Sequence, residues 1–280
     1  MKQTSYSKSI ITIAVLQFFC GCASGIRFTQ QELNQLELAR KELKVLPVYA
    51  MGHGAGFPIS RRNAISAAHT FMDSARQDHS VAGHLDCVIA AVAGRPMLAQ
   101  WPHAAADLST LPPQRDWVVL MATVDRFEPN EIDSTIIPRE GEMVVLGGFP
   151  MPKGTTAQES PAQLTDRAPV IVAGRVLQMS DSTNGELVEV EVSPLEREGR
   201  GFSGGPAATV DDKGNVRVWG VIVRGGWRWT PRPVLRRVFA LTIARLSQSD
   251  FDRFCRARLL NPEEEKTLST VPTTQTNRAP

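Results

Sequence analysis

The sequence predicts an all-β protein built from β-barrels. Its middle part consists of short apolar runs separated by glycines and by turn sequences such as Asn184-Gly185 and 211–215. Short strands with this punctuation favour barrels, because βαβ units would place helical segments between the strands. The predicted strands are Val48–Met51, Gly56–Ile59, Ala64–Ala67, Asp86–Ala93, Trp117–Val124, Met143–Gly147, Val170–Met179, Glu186–Val192, Val216–Val223 and Val238–Leu241.

Length and composition allow one large domain or two small ones. The chain has 280 residues, of which 42% are hydrophobic and 21% charged, so a substantial core can form. A net charge of +2 favours no particular class of partner. The cysteines form no C-x-x-C pair and the histidines no H-E-x-x-H pattern, so we expect neither metal nor cofactor. Cys87 and Cys255 either pair or remain two buried thiols.

The N-terminus is expected to be an export signal covering residues 1–22. Two lysines precede the apolar stretch Ile10–Phe19, which is too short to span a bilayer. The segment Phe19–Cys22 resembles a bacterial lipobox, and this implies a lipid on Cys22. Cleavage after Ala23 with simple secretion, and an uncleaved anchor, are the alternatives. The protein is therefore expected in the periplasm or at the cell surface as an anchored lipoprotein, or as a secreted protein.

Helices are predicted on both sides of the strand-rich part. Residues 23–46 form a helical linker, with leucines at helical spacing in Phe28–Leu46 and a capping box at Thr29–Glu32. This helix either spaces the protein from a membrane or packs on a barrel. A second helix is predicted over Ile243–Leu259. The polar residues 261–280 are predicted to be disordered.

The segments between the predicted strands include one linker and two long loops. The linker between the two halves of the molecule is placed within Arg126–Pro138. The runs Gln100–Gln114 and Met151–Pro169 are rich in proline, alanine or threonine and are predicted to be surface loops.

A glycine-rich turn, Gly201–Pro206, contains the strongest chemical signal. It holds Ser203 between residues that allow tight backbone geometry. Such a turn can direct the N–H groups of Gly201 and Ser203 to one point beside the Ser203 hydroxyl. A serine that attacks a carbonyl group needs this arrangement, because the N–H groups stabilise the oxyanion that forms.

A base and an orienting acid precede this serine. His69 follows small residues at the end of a predicted strand, so its ring can face a cleft. Asp116 begins the apolar run Asp116–Met121, where a carboxylate can be buried against an imidazole. His69 is therefore a candidate base for Ser203, and Asp116 a candidate acid to orient it. A packed histidine, a capping aspartate and a turn serine are the alternatives.

Four motifs, Gly54–Ile59, Ser66–His69, Asp116–Leu120 and Gly201–Pro206, resemble those of the trypsin/chymotrypsin-like serine proteases, especially bacterial members. The resemblance covers roughly residues 46–258. It implies a protease domain at 47–258 with two six-stranded antiparallel β-barrels, at about 47–130 and 135–245. It also implies a serine endopeptidase that acts on protein or peptide substrates through an acyl-enzyme. The catalytic residues would be His69, Asp116 and Ser203, with an oxyanion hole at Gly201 and Ser203.

Two positions depart from the family pattern. Phe202 stands where the family often has an aspartate that pairs with a new N-terminus, so no activation of that kind is expected. Val223 stands where a serine often supports the catalytic aspartate. A silent scaffold that binds peptides or a cell-envelope partner is therefore the alternative, and an ester hydrolase is a third reading.

The resemblance also implies substrate-binding residues, namely Arg197, Glu198, Arg200, Val223, Arg224 and Gly225. Arg197 at a pocket floor would favour acidic substrate residues unless Glu198 neutralises it. The segment Arg224–Arg237 has five arginines and two tryptophans. It is read as a solvated loop with packed tryptophans, as an anionic-peptide site or as a membrane contact. Nucleic acid is not an expected partner, and the sequence does not fix the oligomeric state.

Overall fold

The computed structural model describes residues 26–49, 53–71, 87–100, 112–122, 124–150, 168–179, 186–192, 201–230, 236–247 and 249. The described part is mostly strand, as the sequence predicts. Its strands are β1 Leu46–Tyr49, β2 His53–Pro58, β3 Asn63–Ser66, β4 Cys87–Val92, β5 Arg95–Gln100, β6 Val118–Met121, β7 Glu131–Ile132, β8 Met143–Gly148, β9 Val170–Met179, β10 Leu187–Val192, β11 Pro206–Val210, β12 Val216–Thr230 and β13 Arg236–Arg245.

The first six strands form a closed antiparallel barrel in the order β1-β2-β3-β6-β5-β4. The ring closes where β4 pairs back with β1, with Val92 opposite Val48. Apolar side chains that alternate along these strands fill the interior. Examples with at most 1% exposure are Val48, Met97 and Leu120.

The second barrel follows the order β11-β8-β9-β10-β13-β12 and closes through the pairing of β11 with β12. Its six strands are antiparallel neighbours, and its interior contains Leu146, Val190, Trp219 and Ile243. The predicted pair of six-stranded antiparallel barrels is confirmed by these two closed rings. The short strand β7, inside the predicted linker, adds to β12 in parallel orientation.

A third apolar cluster lies between the barrels. Phe57 and Trp117 of the first barrel pack in the same cluster as Val145 and Val218 of the second, and all four are fully buried. Large buried aromatic groups contribute strongly to such packing. The cluster holds the two barrels against each other close to Asp116, the residue before Trp117.

The helix α1, Gln30–Glu42, packs on the second barrel. Thr29 and Glu32 form the capping box that the sequence predicts. Leu36 and Ala39 are buried in the cluster between the barrels. The helix is shorter than the predicted range of 28–46, because the chain turns into β1 at Leu46. Packing on a barrel, rather than acting as a spacer, is the arrangement observed.

Arg175 on β9 fastens the start of this helix to the barrel. Its guanidinium donates to both carboxylate oxygens of Glu32, with a distance of 2.8 Å for the second. It also donates to the carbonyl of Arg27 and lies 4.9 Å from the ring centre of Phe28. The hydrogen bond from Arg175 is the main cause that lowers the pKa of Glu32, and burial opposes it.

We expect Glu32→Gln to destabilise the protein by about 1 kcal/mol at pH 7, since a charge-assisted pair is lost. The folded-state pKa of Glu32 lies below its unfolded value, so its contribution to stability is present above the unfolded pKa. The contribution is lost as the pH falls through the folded pKa. Urea unfolding at neutral and acidic pH measures this, and a difference between variant and wild type that grows on acidification would contradict it.

Two expectations need correction. Residues Ile243–Arg245, predicted to begin a C-terminal helix, lie in β13, which pairs with both β10 and β12. The ladder hydrogen bonds on both sides keep them in a strand. The segment from Arg224 is not a loop either, because β12 continues to Thr230. The strands β5, β7 and β11 were absent from the prediction.

Several predicted segments fall outside the described residues. They are the signal segment 1–22, residues 101–111 of the loop Gln100–Gln114, the turn Asn184-Gly185 and the loop Met151–Pro169 except for its last two residues. Nearly all of the predicted C-terminal helix beyond Leu246, with Cys255, and the tail 261–280 also fall outside. Within the described ranges, no helix has the length and apolar character needed to cross a bilayer.

Candidate active site

Asp116 holds His69 with two hydrogen bonds. The imidazole Nδ1 lies 2.8 Å from Asp116 Oδ2, and the backbone N–H of His69 donates to Oδ1 at 2.9 Å. A carboxylate oxygen only accepts, so the Nδ1 atom carries the proton. The other ring nitrogen, Nε2, is then left as a proton acceptor in the neutral imidazole. His69 and Asp116 thus have the orientation that a general base requires.

The environment of the two residues is asymmetric. The side chain of Asp116 is 7% exposed, whereas that of His69 is 37% exposed. Asp116 follows a short 3-10 turn, Pro113–Arg115, and precedes the fully buried Trp117. Its carbonyl accepts from the N–H of Ala68 at 3.3 Å. The carboxylate is therefore buried under the histidine, while the ring keeps an open side toward solvent.

Ser203 lies in a tight turn at the edge of the second barrel. The turn depends on glycines, because Gly201 has φ 90° and Gly204 has φ 85°. The N–H of Gly205 donates to Phe202 and that of Gly204 to Ile222 on β12, at 2.8 and 2.7 Å. The side chain of Ser203 is half-buried.

The turn is also fastened to the first barrel. The carbonyl of Ser203 accepts from the N–H of Ala55 on β2 at 2.8 Å. A Cβ atom on Gly204 would lie 2.2 Å from the carbonyl oxygen of Ala55 and 2.5 Å from the nitrogen of Ala67. The serine turn therefore packs directly on the segment that leads into His69. The structure thus pairs His69 with Asp116 and places the Ser203 turn against the segment that ends two residues before His69.

The predicted oxyanion donors have no competing backbone acceptor in the described part of the chain. Neither the N–H of Gly201 nor that of Ser203 donates to a carbonyl there. The N–H groups of Gly204 and Gly205, in the same turn, do donate to carbonyls. The carbonyl of Gly201 accepts from Phe149 at 2.9 Å, which anchors the turn to the end of β8. Uncommitted N–H groups on an anchored turn are suited to binding an oxyanion.

The two positions that depart from the family pattern are both buried and apolar. Phe202 is 2% exposed and packs inside the second barrel, where its ring lies against the backbone of Gly148. Val223 is fully buried in the cluster between the barrels. With no accessible surface, Val223 offers a substrate no direct contact in this arrangement.

Of the predicted substrate-binding residues, Arg224 and Gly225 are exposed on β12, directly after Val223. Ile222, one residue earlier, exchanges hydrogen bonds with Gly204 and Gly205 of the serine turn. Arg224 and Gly225 thus follow the turn closely along the strand. Arg197, Glu198 and Arg200 lie outside the described residues, as does Cys22.

Sequence reasoning assigned no role to Gly54 or Thr70, which shape the junction. A Cβ atom on Gly54 would lie 2.6 Å from the methyl of Thr70 and 2.8 Å from the carbonyl of Ser203. The Thr70 hydroxyl donates to the carbonyl of Ala67 at 2.7 Å. Only the glycine spacing in 52–56 hinted at such a close approach.

No group of three or more histidine, cysteine, aspartate or glutamate side chains that could hold a metal occurs within the described ranges. Together, the two barrels and the junction define a class: a double-barrel protein with a buried Asp–His pair beside a serine on a glycine turn.

The solved structures similar to this chain include three serine proteases. A serine endoprotease from Yersinia pestis is 15% identical, with 83% of this chain and 68% of that chain covered and a TM-score of 0.49. The Rv3671c protease of M. tuberculosis, in an inactive form, is 16% identical over 80% and 93% of the two chains, with a TM-score of 0.43. Neuropsin from mouse brain is 10% identical over 76% and 93%, with a TM-score of 0.47.

No protein-family model matches the chain, and no curated protein matches its sequence. At the identities and TM-scores above, the likeness to solved proteases assigns no activity to this chain. The two barrels follow from its own strand pairing, and the chemistry must be inferred from its own site.

Proposed function

We propose that the protein is a serine endopeptidase that hydrolyses peptide bonds through an acyl-enzyme. The observation that carries the proposal is the orientation of His69 by both oxygens of the buried Asp116, beside the Ser203 turn. A histidine that only packs in a core does not require hydrogen bonds to both oxygens of a buried carboxylate. The uncommitted N–H groups of Gly201 and Ser203 supply the remaining element of the chemistry.

In the first half of the reaction, His69 Nε2 accepts the Ser203 hydroxyl proton while Oγ attacks the peptide carbonyl carbon. The carbonyl oxygen becomes an oxyanion and accepts from the Gly201 and Ser203 N–H groups. Asp116 stabilises the imidazolium that results. The intermediate collapses when the imidazolium gives its proton to the amide nitrogen, so that the C–N bond breaks and the amine leaves.

In the second half, water repeats the sequence. His69 takes a proton from the water, whose oxygen attacks the acyl carbon of the Ser203 ester. The imidazolium then returns the proton to Ser203 Oγ as the ester bond breaks. The acid product leaves, and the serine and imidazole regain their starting protonation states. No cofactor takes part in these steps.

We expect a fluorophosphonate to label the purified protein once, with displacement of fluoride by Ser203 Oγ. Intact mass should show one adduct on the wild type and none on Ser203→Ala or His69→Ala, because each lacks the nucleophile or its base. Asp125→Asn, an exposed change on the first barrel, serves as a control that should label as the wild type does.

The absence of an adduct on folded wild-type protein would contradict the proposal and favour the silent peptide-binding scaffold. An adduct together with hydrolysis of esters but not of peptides would favour the ester hydrolase. The buried apolar Val223 favours the silent scaffold, because it stands where a serine often supports the catalytic aspartate.

We also propose that the protein is exported and that Cys22 carries a lipid. The support is the apolar segment Ile10–Phe19 followed by cysteine and small residues. Metabolic labelling with an azide-bearing fatty acid tests this. Label on the wild type and its loss in Cys22→Ala are expected, while an unlabelled protein in the culture medium would favour simple secretion.

A further inference from the structure

A two-stranded ribbon, largely exposed along β12 and largely buried along β13, continues beyond the serine turn. It consists of Arg224–Thr230 on β12 paired with Arg236–Thr242 on β13, and we call it the arginine–tryptophan ribbon. It begins one residue after the fully buried Val223, where the register between the strands shifts. The ribbon is thus continuous with the strand that contacts the serine turn.

Aromatic and cationic groups share one face of the ribbon. Trp227 is paired with Phe239, and Trp229 with Arg237. The rings of Trp227 and Phe239 meet edge to face, with their centres 5.7 Å apart. The Arg237 guanidinium lies 4.9 Å from the centre of the Trp227 ring. Trp229 is 66% exposed and Trp227 42%. Two exposed tryptophans on one strand form a contact surface of the kind that binding sites use.

The charge of the ribbon is strongly positive. Residues 224–237 include five arginines and no acidic residue. One of them, Arg228, forms an ion pair with Glu189 of β10 at 2.9 Å on the opposite face. Arg224 and Arg237 are exposed. Within the described residues neither Arg224 nor Arg237 has an acidic partner, and this exposed positive charge favours an anionic partner.

One edge of the ribbon is open within the described part of the chain. Beyond Ile222, β12 pairs with β13 alone, since its pairings with β11 and β7 end at Val221 and Val218. A peptide in β conformation can add to a strand edge of this kind, and a lipid surface cannot. The edge therefore favours a polypeptide over a membrane.

We propose that the arginine–tryptophan ribbon is an exosite that binds an extended acidic segment of a polypeptide. This proposal rests on the proposed protease function, since the segment would belong to the substrate. Trp229 lies six residues past Val223, roughly 20 Å along the strand. The far end of the ribbon, around Trp229, therefore contacts substrate residues well removed from the scissile bond, and it selects protein chains by an acidic region rather than by the residues at the cut.

The test uses full-length Ser203→Ala protein, so that binding is measured without turnover. Fluorescence polarisation is followed with an extended glutamate-rich peptide and with its glutamine and lysine counterparts. We expect the glutamate peptide to bind at least about tenfold more tightly than the glutamine peptide. Trp229→Ala and Arg237→Gln should each weaken its binding about three- to tenfold.

Two matched controls lie outside the ribbon. Arg95→Gln removes one exposed positive charge from the first barrel, and Ile137→Ala shortens an exposed apolar side chain in the linker. Both should leave binding within about twofold of the parent protein. Equal weakening by Arg95→Gln would overturn the proposal, because it would indicate a general charge effect.

Equal affinity for the three peptides would also overturn it. So would Trp229-dependent binding to phosphatidylglycerol vesicles with no binding of the acidic peptide. The fluorophosphonate test separates the two proposals: labelling without acidic-peptide binding refutes the exosite alone. Acidic-peptide binding without labelling refutes the protease and leaves the ribbon as a peptide-binding surface.

Discussion

Replacing Asp116 with asparagine is expected to lower kcat/KM about 10⁴-fold while leaving the fold intact. Both carboxylate oxygens of Asp116 accept from His69, one from the backbone N–H and one from Nδ1. Asparagine has a single acceptor oxygen, and the backbone N–H cannot change its role. That oxygen must therefore remain with the backbone, and the amide NH₂ group faces Nδ1.

An NH₂ group facing Nδ1 can only donate, so the ring proton moves to Nε2. In the proposed mechanism His69 then has no lone pair on Nε2 with which to accept the Ser203 proton. The measurements are kcat/KM on a peptide substrate and the imidazole ¹⁵N shifts of His69, which report the tautomer. Both should change together in Asp116→Asn.

Asp125→Asn is the matched control, since Asp125 is an exposed aspartate of the same barrel paired with Arg61 and Arg62. It should retain kcat/KM within about twofold. A tautomer that remains Nδ1–H in Asp116→Asn, or a rate within tenfold of the wild type, would show that the Asp116 geometry does not govern the base.

Strand content was predictable from local pattern wherever an apolar run stood between turn residues. Val170–Met179 has the same bounds in the prediction and in the structure, because a buried strand with flanking breakers is encoded locally. The strand β11 was not predicted, because Pro206-Ala207-Ala208 has low β-propensity. It is held by pairing with β8 and β12, which no local pattern records.

The end of β13 shows the same limit in the opposite direction. Ala244 has high helix propensity, yet it occupies a central strand between β10 and β12. Pairing on both sides overrides helix propensity. The β12 half of the arginine–tryptophan ribbon was read as a loop for a related reason, since the consecutive glycines Gly225 and Gly226 weaken any strand pattern.

The residues of the candidate site were predictable from motifs, whereas their packing was not. Motif spacing selected His69, Asp116 and Ser203; the structure pairs the first two and places the turn that holds the third at the same barrel junction. The two bonds from His69 to Asp116 depend on the backbone turn at Ala68–Phe71, which sequence does not specify. The approach of Gly204 to Ala55 and Ala67 depends on how the two barrels dock.

That approach gives the second large effect. Gly204→Ala is expected to destabilise the protein by at least about 3 kcal/mol and to abolish fluorophosphonate labelling. A Cβ atom there would lie 2.2 Å from the oxygen of Ala55 and 2.5 Å from the nitrogen of Ala67. Both are backbone atoms in the first barrel, so neither can rotate away. Relief requires the Ser203 turn to move off the segment leading to His69.

Gly141→Ala separates this clash from the cost of the backbone conformation. Gly141 has φ 80°, close to the 85° of Gly204, but no atom lies within 4 Å of its added Cβ position. Its substitution should cost only about 1–2 kcal/mol, the penalty of a left-handed alanine, and should leave labelling unchanged. Denaturant unfolding and labelling of both variants provide the comparison. Equal destabilisation by the two substitutions would mean that the barrels can move apart at their junction and relieve the clash. A loss of stability and labelling in Gly204→Ala alone would mean that barrel docking fixes the position of the nucleophile.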